Sequence, residues 1–314
     1  MDKWEKYKRQ ISAGIVLVLW ILTVVYAADA AKARGQAESL KAANYIEGTG
    51  MEEEFYSLRT ELTEMILDQP GEYSIYLKDL ETGEELSLNH REMYAASLIK
   101  LFVMARTYEY FEEITGWQAG EAEDLAKGQE EITTYLEQMI QVSDNESFNE
   151  LVRAQNADHS FSEGCRKMNA YLEEQGYEDT GIYHTLEPSV SEEEEISEEK
   201  NHTSARDCGR LLENIYKGKC VSEEASLDML ALLTGQERDW KIPAGLPEGT
   251  LCANKTGETD TCQHDAAIVF GPEKDYILCV MSDGLEGEQE GEDAALLIRD
   301  ISRTVYEFLE QEEE

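Results

Sequence analysis

The strongest constraint on this chain is that its hydrophobic period changes twice. Near the start, Tyr73–Leu80 and Glu84–Asn89 flank Glu81-Thr82-Gly83 and have strand character, which predicts two strands joined by a tight turn. From Met93 to about Trp240 the spacing is mainly helical. Strand character then returns in 249–257, 264–271 and 275–284, with Gly271-Pro272-Glu273-Lys274 as the turn between the last two. A helix before the first strand carries Phe55, Leu58, Leu62, Met65 and Ile66 on one face and stops at Gln69-Pro70-Gly71. Another closes the chain from about Asp293, with Leu297, Ile298, Ile301, Val305, Phe308 and Leu309 on one face. Two early and three late strands, separated by about 160 mostly helical residues, predict one sheet completed by distant segments. The helical block is then an inserted second lobe, and the cleft between lobe and sheet is where chemistry is expected.

Composition narrows the function more than the fold. Asp and Glu number 67 against 27 Lys and Arg, a formal net charge of −40, which excludes a nucleic-acid partner because phosphate neutralisation needs clustered cations. The same self-repulsion favours a soluble monomer. With 41% hydrophobic residues over 314 positions the chain can bury a large core, and 5 prolines and 22 glycines exclude a low-complexity chain.

The first segment stands apart. Lys3, Lys6, Lys8 and Arg9 precede an apolar run from Ile11 to Ala28, about 27 Å long as a helix at 1.5 Å per residue. Residues 1–28 are expected to be an uncleaved transmembrane anchor, with Trp4, Tyr7 and Tyr26 at the interfaces, or a signal segment cut near Ala30. Either places the remainder outside the cytoplasm, on the cell membrane or secreted. Residues 29–50 are small, polar and punctuated by glycine, a linker, and 51–314 form the globular domain. Cysteines stand at 165, 208, 220, 252, 262 and 279 without a C-x-x-C. They permit up to three disulfides or six buried thiols. The acidic run Glu192–Glu199 reads as a solvated loop.

Chemistry is concentrated in three short motifs. Ser97 and Lys100 lie three residues apart within the apolar, helix-like run Met93–Met104, and so share one face. A lysine in such a run is desolvated, its pKa falls, and it can take a proton near neutrality from a serine one turn away. About one S-x-x-K is expected by chance in a chain of this length, and a second, Ser197 to Lys200, does fall in the acidic run. There, neighbouring carboxylates keep the amine protonated. Ser143-Asp144-Asn145, between two helical patterns, and Lys255-Thr256-Gly257, on an expected strand, are each expected fewer than about 0.1 times by chance. They follow the Ser97 motif in order.

With these three motifs in this order, the sequence resembles the penicillin-recognising serine enzymes, in particular the class A β-lactamases, over residues 51–314. The resemblance implies an α+β fold: a five-stranded antiparallel sheet flanked by helices, beside an all-helical lobe. It implies Ser97 as nucleophile, Lys100 as proton acceptor, and Ser143 as proton donor to the leaving nitrogen. Asn145 would bind the substrate's side-chain amide, and Lys255 and Thr256 its carboxylate. Gly257 would admit the substrate to the strand, and the amides of Ser97 and Glu258 would form the oxyanion hole. The family's deacylating glutamate lies in E-x-x-L-N. The best match here is Glu187-Pro188-Ser189-Val190-Ser191, with Val190 for Leu and Ser191 for Asn. For the arginine that many members carry after K-T-G, the nearest candidate is His264, which equally suits a structural role. The implied partner is a small-molecule β-lactam or a cell-wall peptide, with no metal and no organic cofactor. The implied activity is β-lactam hydrolysis, D,D-peptidase action, or penicillin binding without efficient turnover.

Overall fold

Strand burial explains the architecture. The computed structural model describes residues 53–119, 125–186 and 199–310, all within the compact unit Met51–Glu314. Helix α1 (Glu53–Leu67) leads into β1 (Glu72–Asp79) and β2 (Glu85–Leu88). The short strand β3 (Met93–Tyr94) precedes one 3-10 turn (Ala96–Leu98) and α2 (Ile99–Glu109). The lobe continues through α3 (Phe111–Ala119), α4 (Leu125–Gln141), α5 (Asn145–Arg153) and α6 (Phe161–Gln175). After β4 (His202–Thr203) come α7 (Ala205–Tyr216), α8 (Glu223–Thr234) and the short α9 (Ile242–Gly245). Strands β5 (Leu251–Thr259), β6 (Cys262–Phe270) and β7 (Asp275–Asp283) and helix α10 (Glu288–Leu309) complete the fold.

The sheet is antiparallel with order β2-β1-β7-β6-β5, so the distant first and last strands pair directly, Ile75 opposite Val280. Its two faces feed two cores. Ile75, Leu77, Tyr276, Leu278 and Val280 pack with Phe55, Leu58, Ile298 and Val305 of α1 and α10. Tyr76, Ile277, Cys279 and Met281, one residue out of phase, join the helical lobe. Helix α7 reaches that face because Gly209 has no side chain: a Cβ there would lie 2.3 Å from the Tyr76 ring. The six cysteines are free, and all but the half-buried Cys252 are buried as apolar core material.

Two boundaries differ from expectation. Met93–Met104 is not one helix, because Met93 and Tyr94 pair with Thr203 and His202, a partnership over 100 residues away in sequence. The closing helix starts at Glu288, earlier than Asp293, on an exposed acidic first turn whose carboxylates suit a helix N-terminus and leave no apolar period to read. Among the described residues no helix is long and apolar enough to cross a membrane. The expected segment 1–28, the linker 29–50 and most of the acidic run lie outside the described residues.

Candidate active site

Strand β5 is one of the two edge strands of the sheet, and the turn carrying Ser97 packs against it. The turn is held from both sides: Ala95 N donates to Asn201 O at 2.9 Å and Leu98 N to Ala95 O at 3.0 Å, while Ala96 takes a φ of 43°. Such a dihedral is costly for a residue with a Cβ and persists only where its surroundings impose it. It places Ser97 half-buried at the start of α2. Gly257 permits the close approach of β5, since a Cβ there would stand 3.0 Å from His264 Cδ2 and 3.3 Å from Ala95 O and Leu98 N.

The three motifs meet. Lys100, fully buried, has its Nζ 3.1 Å from Ser97 Oγ, 2.7 Å from Ser143 O, 2.7 Å from Asn145 Oδ1 and 3.2 Å from Ser143 Oγ. Two of these partners, the Ser143 carbonyl and the Asn145 amide oxygen, can only accept. A neutral amine has two N–H groups, both satisfied there, which leaves its lone pair for a hydroxyl. Burial lowers the Lys100 pKa to about 7; Asp144 opposes the shift and Arg238 adds to it. Lys255 Nζ donates to Ser143 Oγ at 2.9 Å and to Thr256 O at 2.9 Å. Its pKa is driven well down by burial, then by the charges of Lys100 and Arg238. Ser143 therefore bridges two buried amines. It holds that place through a φ of 62°, just before Asp144 caps α5 by accepting from Ser147 N at 2.6 Å. The Thr256 hydroxyl is buried with no partner among the described residues.

His264 presents no cation to the cleft. Its Nδ1 accepts from Ser282 N at 3.2 Å and its Nε2 faces Tyr94 O at 2.9 Å, so the ring is neutral with its proton on Nε2. Burial, then the charge of Lys241, lowers its pKa to about 4. It ties β6 to the segment before Ser97 rather than binding at the surface. A cation beside the motif strand is Arg238, which no motif marks. Its guanidinium contacts the Glu258 carboxylate, and its carbonyl accepts from Asn254 Nδ2 at 3.3 Å. Behind the strand, the buried Lys241 donates to Gly257 O at 3.2 Å and His264 O at 3.1 Å, with Glu258 Oε2 3.6 Å away.

Glu187, Val190 and Ser191 lie outside the described residues. The residue before them is fixed. Asn149, fully buried, donates to Leu186 O at 3.0 Å and accepts from Leu186 N at 2.9 Å. Asn149 is a positioning residue that the sequence reading missed, although it falls one helical turn beyond Asn145.

A sequence model described as the β-lactamase enzyme family matches residues 57–309. No curated protein matches the chain. Among solved structures, PBP-A is similar with a TM-score of 0.65 and 24% identity, covering 80% of this chain and 95% of that one. A PBP-A mutant, in an acyl-enzyme complex with penicillin G, has a TM-score of 0.62 and 20% identity, covering 80% and 96%. A β-lactamase from Sphaerobacter thermophilus has a TM-score of 0.61 and 20% identity, covering 80% and 96%. At these identities the likeness establishes the fold.

Proposed function

Because the chain belongs to the β-lactamase enzyme family, we propose that it is a serine hydrolase that opens a β-lactam amide through an acyl-enzyme on Ser97. The observation that carries this reading is Lys100 Nζ, 3.1 Å from Ser97 Oγ, with its two N–H groups engaged by Ser143 O and Asn145 Oδ1 and a pKa of about 7. A poised base beside a hydroxyl is what nucleophilic catalysis requires. In this scheme Ser97 Oγ attacks the lactam carbonyl and its proton passes to Lys100. The oxyanion is held by the amides of Ser97 and Glu258. The C–N bond then breaks as Ser143 protonates the departing nitrogen, and Ser143 is reprotonated by the amines on either side of it, 3.2 and 2.9 Å away. Asn145 gives its oxygen to Lys100, so its amide N–H groups remain for the substrate's side chain. The unpartnered Thr256 hydroxyl and Lys255 serve the substrate carboxylate. Water activated by Glu187 completes hydrolysis.

A second reading is favoured by Val190 and Ser191, which replace the residues that flank the deacylating water in the family motif. Acylation would then proceed while release is slow, giving a penicillin-binding protein or a D,D-peptidase acting on cell-wall peptides. The basic-then-apolar segment ending at Ala28 supports an extracytoplasmic, membrane-anchored or secreted location for either activity. Turnover of a chromogenic cephalosporin separates the readings. Sustained hydrolysis above a Ser97→Ala background is expected for the hydrolase, a stoichiometric burst for the slow acylator, and no signal from either protein would refute both.

A further inference from the structure

Resting on the acyl-enzyme reading above, we propose that the side chain of Glu258 acts through Arg238 to set selectivity between anionic and neutral acyl donors, by holding the guanidinium that an incoming substrate carboxylate would take. Glu258 follows Gly257 on β5, an edge strand of the sheet against which the turn carrying Ser97 packs. Its carboxylate contacts the Arg238 guanidinium and lies 3.6 Å from Lys241. Arg238 is tied to the motif strand on both sides of Lys255-Thr256-Gly257: its carbonyl accepts from Asn254 Nδ2 at 3.3 Å and its guanidinium contacts the Glu258 carboxylate.

The surrounding charges make this contact consequential. Lys241 is fully buried and spends its donors on the carbonyls of Gly257 and His264 behind the strand. Lys255 is also buried, and its amine is already engaged with Ser143 Oγ and Thr256 O, both at 2.9 Å. His264 is neutral. The half-exposed Arg238 is thus the permanent charge best able to attract a carboxylate, and Glu258 offsets it. A second carboxylate arriving at one guanidinium meets a like charge, whereas a neutral ester does not. Arg238 and Glu258 are 36% and 23% exposed at their side chains, so solvent screens the pair and a substrate can displace it.

The test is the ratio of second-order acylation rates for benzylpenicillin and its methyl ester, read by intact mass. It is measured in wild type, Glu258→Gln, Glu258→Asp, Arg238→Gln and the Arg238→Gln/Glu258→Gln double variant. Glu258→Gln is expected to raise the anion-to-ester ratio about tenfold, equivalent to about 1.4 kcal/mol, while Glu258→Asp retains the wild-type ratio. In the Arg238→Gln background the gain from Glu258→Gln is expected to vanish, because the effect runs through the guanidinium. An unchanged ratio in Glu258→Gln, or a gain that survives loss of Arg238, would overturn the proposal. Should Glu258→Gln fail to fold once Lys241 loses its carboxylate, Glu258→Gln is combined with Lys241→Met, which removes the buried cation left behind. The same tenfold gain over Lys241→Met alone is expected, and an unchanged ratio refutes the proposal. Absence of acylation by either compound in wild type would instead remove the acyl-enzyme reading, and this inference with it.

Discussion

Acidifying the protein is expected to switch off acylation through one group. Lys100 must be an amine to accept the Ser97 proton, and its pKa of about 7 arises mainly from burial. Below that value the amine fraction falls tenfold per pH unit, so acylation at pH 5 should be about 100-fold slower than its plateau above pH 8. The sign is set by the chemistry: the base works deprotonated, so the rate rises with pH. Measuring the acylation rate at saturating penicillin isolates the chemical step from carboxylate binding at Lys255. The same reasoning fixes a second result. Arg238 lowers the Lys100 pKa, so Arg238→Gln should move the midpoint to higher pH. A flat profile from pH 5 to pH 8, or a midpoint displaced downward in Arg238→Gln, would refute the assignment of Lys100 as base.

Other perturbations separate positioning from stability. Gly257→Ala puts a Cβ 3.0 Å from His264 and 3.3 Å from the Ser97 turn, and the resulting shift should cost about 100-fold in acylation kcat/KM, checked by steady-state or burst kinetics with little change in Tm. Asn149→Ala strands both Leu186 N and Leu186 O. It should destabilise by about 2–4 kcal/mol in urea melts and slow deacylation more than acylation in single-turnover assays. Burial lowers the His264 pKa to about 4, below its unfolded value, so its contribution is complete above about pH 6.5 and is lost as pH falls towards 4. The stability advantage of wild type over His264→Gln should therefore shrink by about 2 kcal/mol between pH 6.5 and pH 5. Taking this difference cancels the opposite contribution of Asp265, whose pKa burial raises to about 6.

What was legible in the sequence follows from how local each signal is. The five strands and the long helices carried their own periods. Ser97, Lys100, Ser143, Asn145 and Lys255 were found because short motifs fix their local geometry, and the structure brings them within hydrogen-bonding reach. The strand at Met93–Tyr94 was not legible, since two residues hold no period and their partner is His202–Thr203. Arg238 stands 17 positions before Lys255 in a polar stretch, and the path from α8 to β5 brings it beside the motif strand. His264 was a candidate by position along β6. Its burial and its hydrogen bonds to Tyr94 and Ser282 are tertiary properties that no spacing encodes. Asn149 lay on a readable helix, but its partner Leu186 is 37 residues away.

A covalent bond to Ser97 is the first chemical event of the proposed reaction, and mapping the adduct tests it. After brief exposure to benzylpenicillin and acid quench, digestion and mass spectrometry should find the intact mass of the antibiotic added to the peptide carrying Ser97, because ring opening expels no atoms. The addition should disappear in Ser97→Ala. An unmodified Ser97 peptide at saturating antibiotic, or a label that persists in Ser97→Ala, would contradict the account.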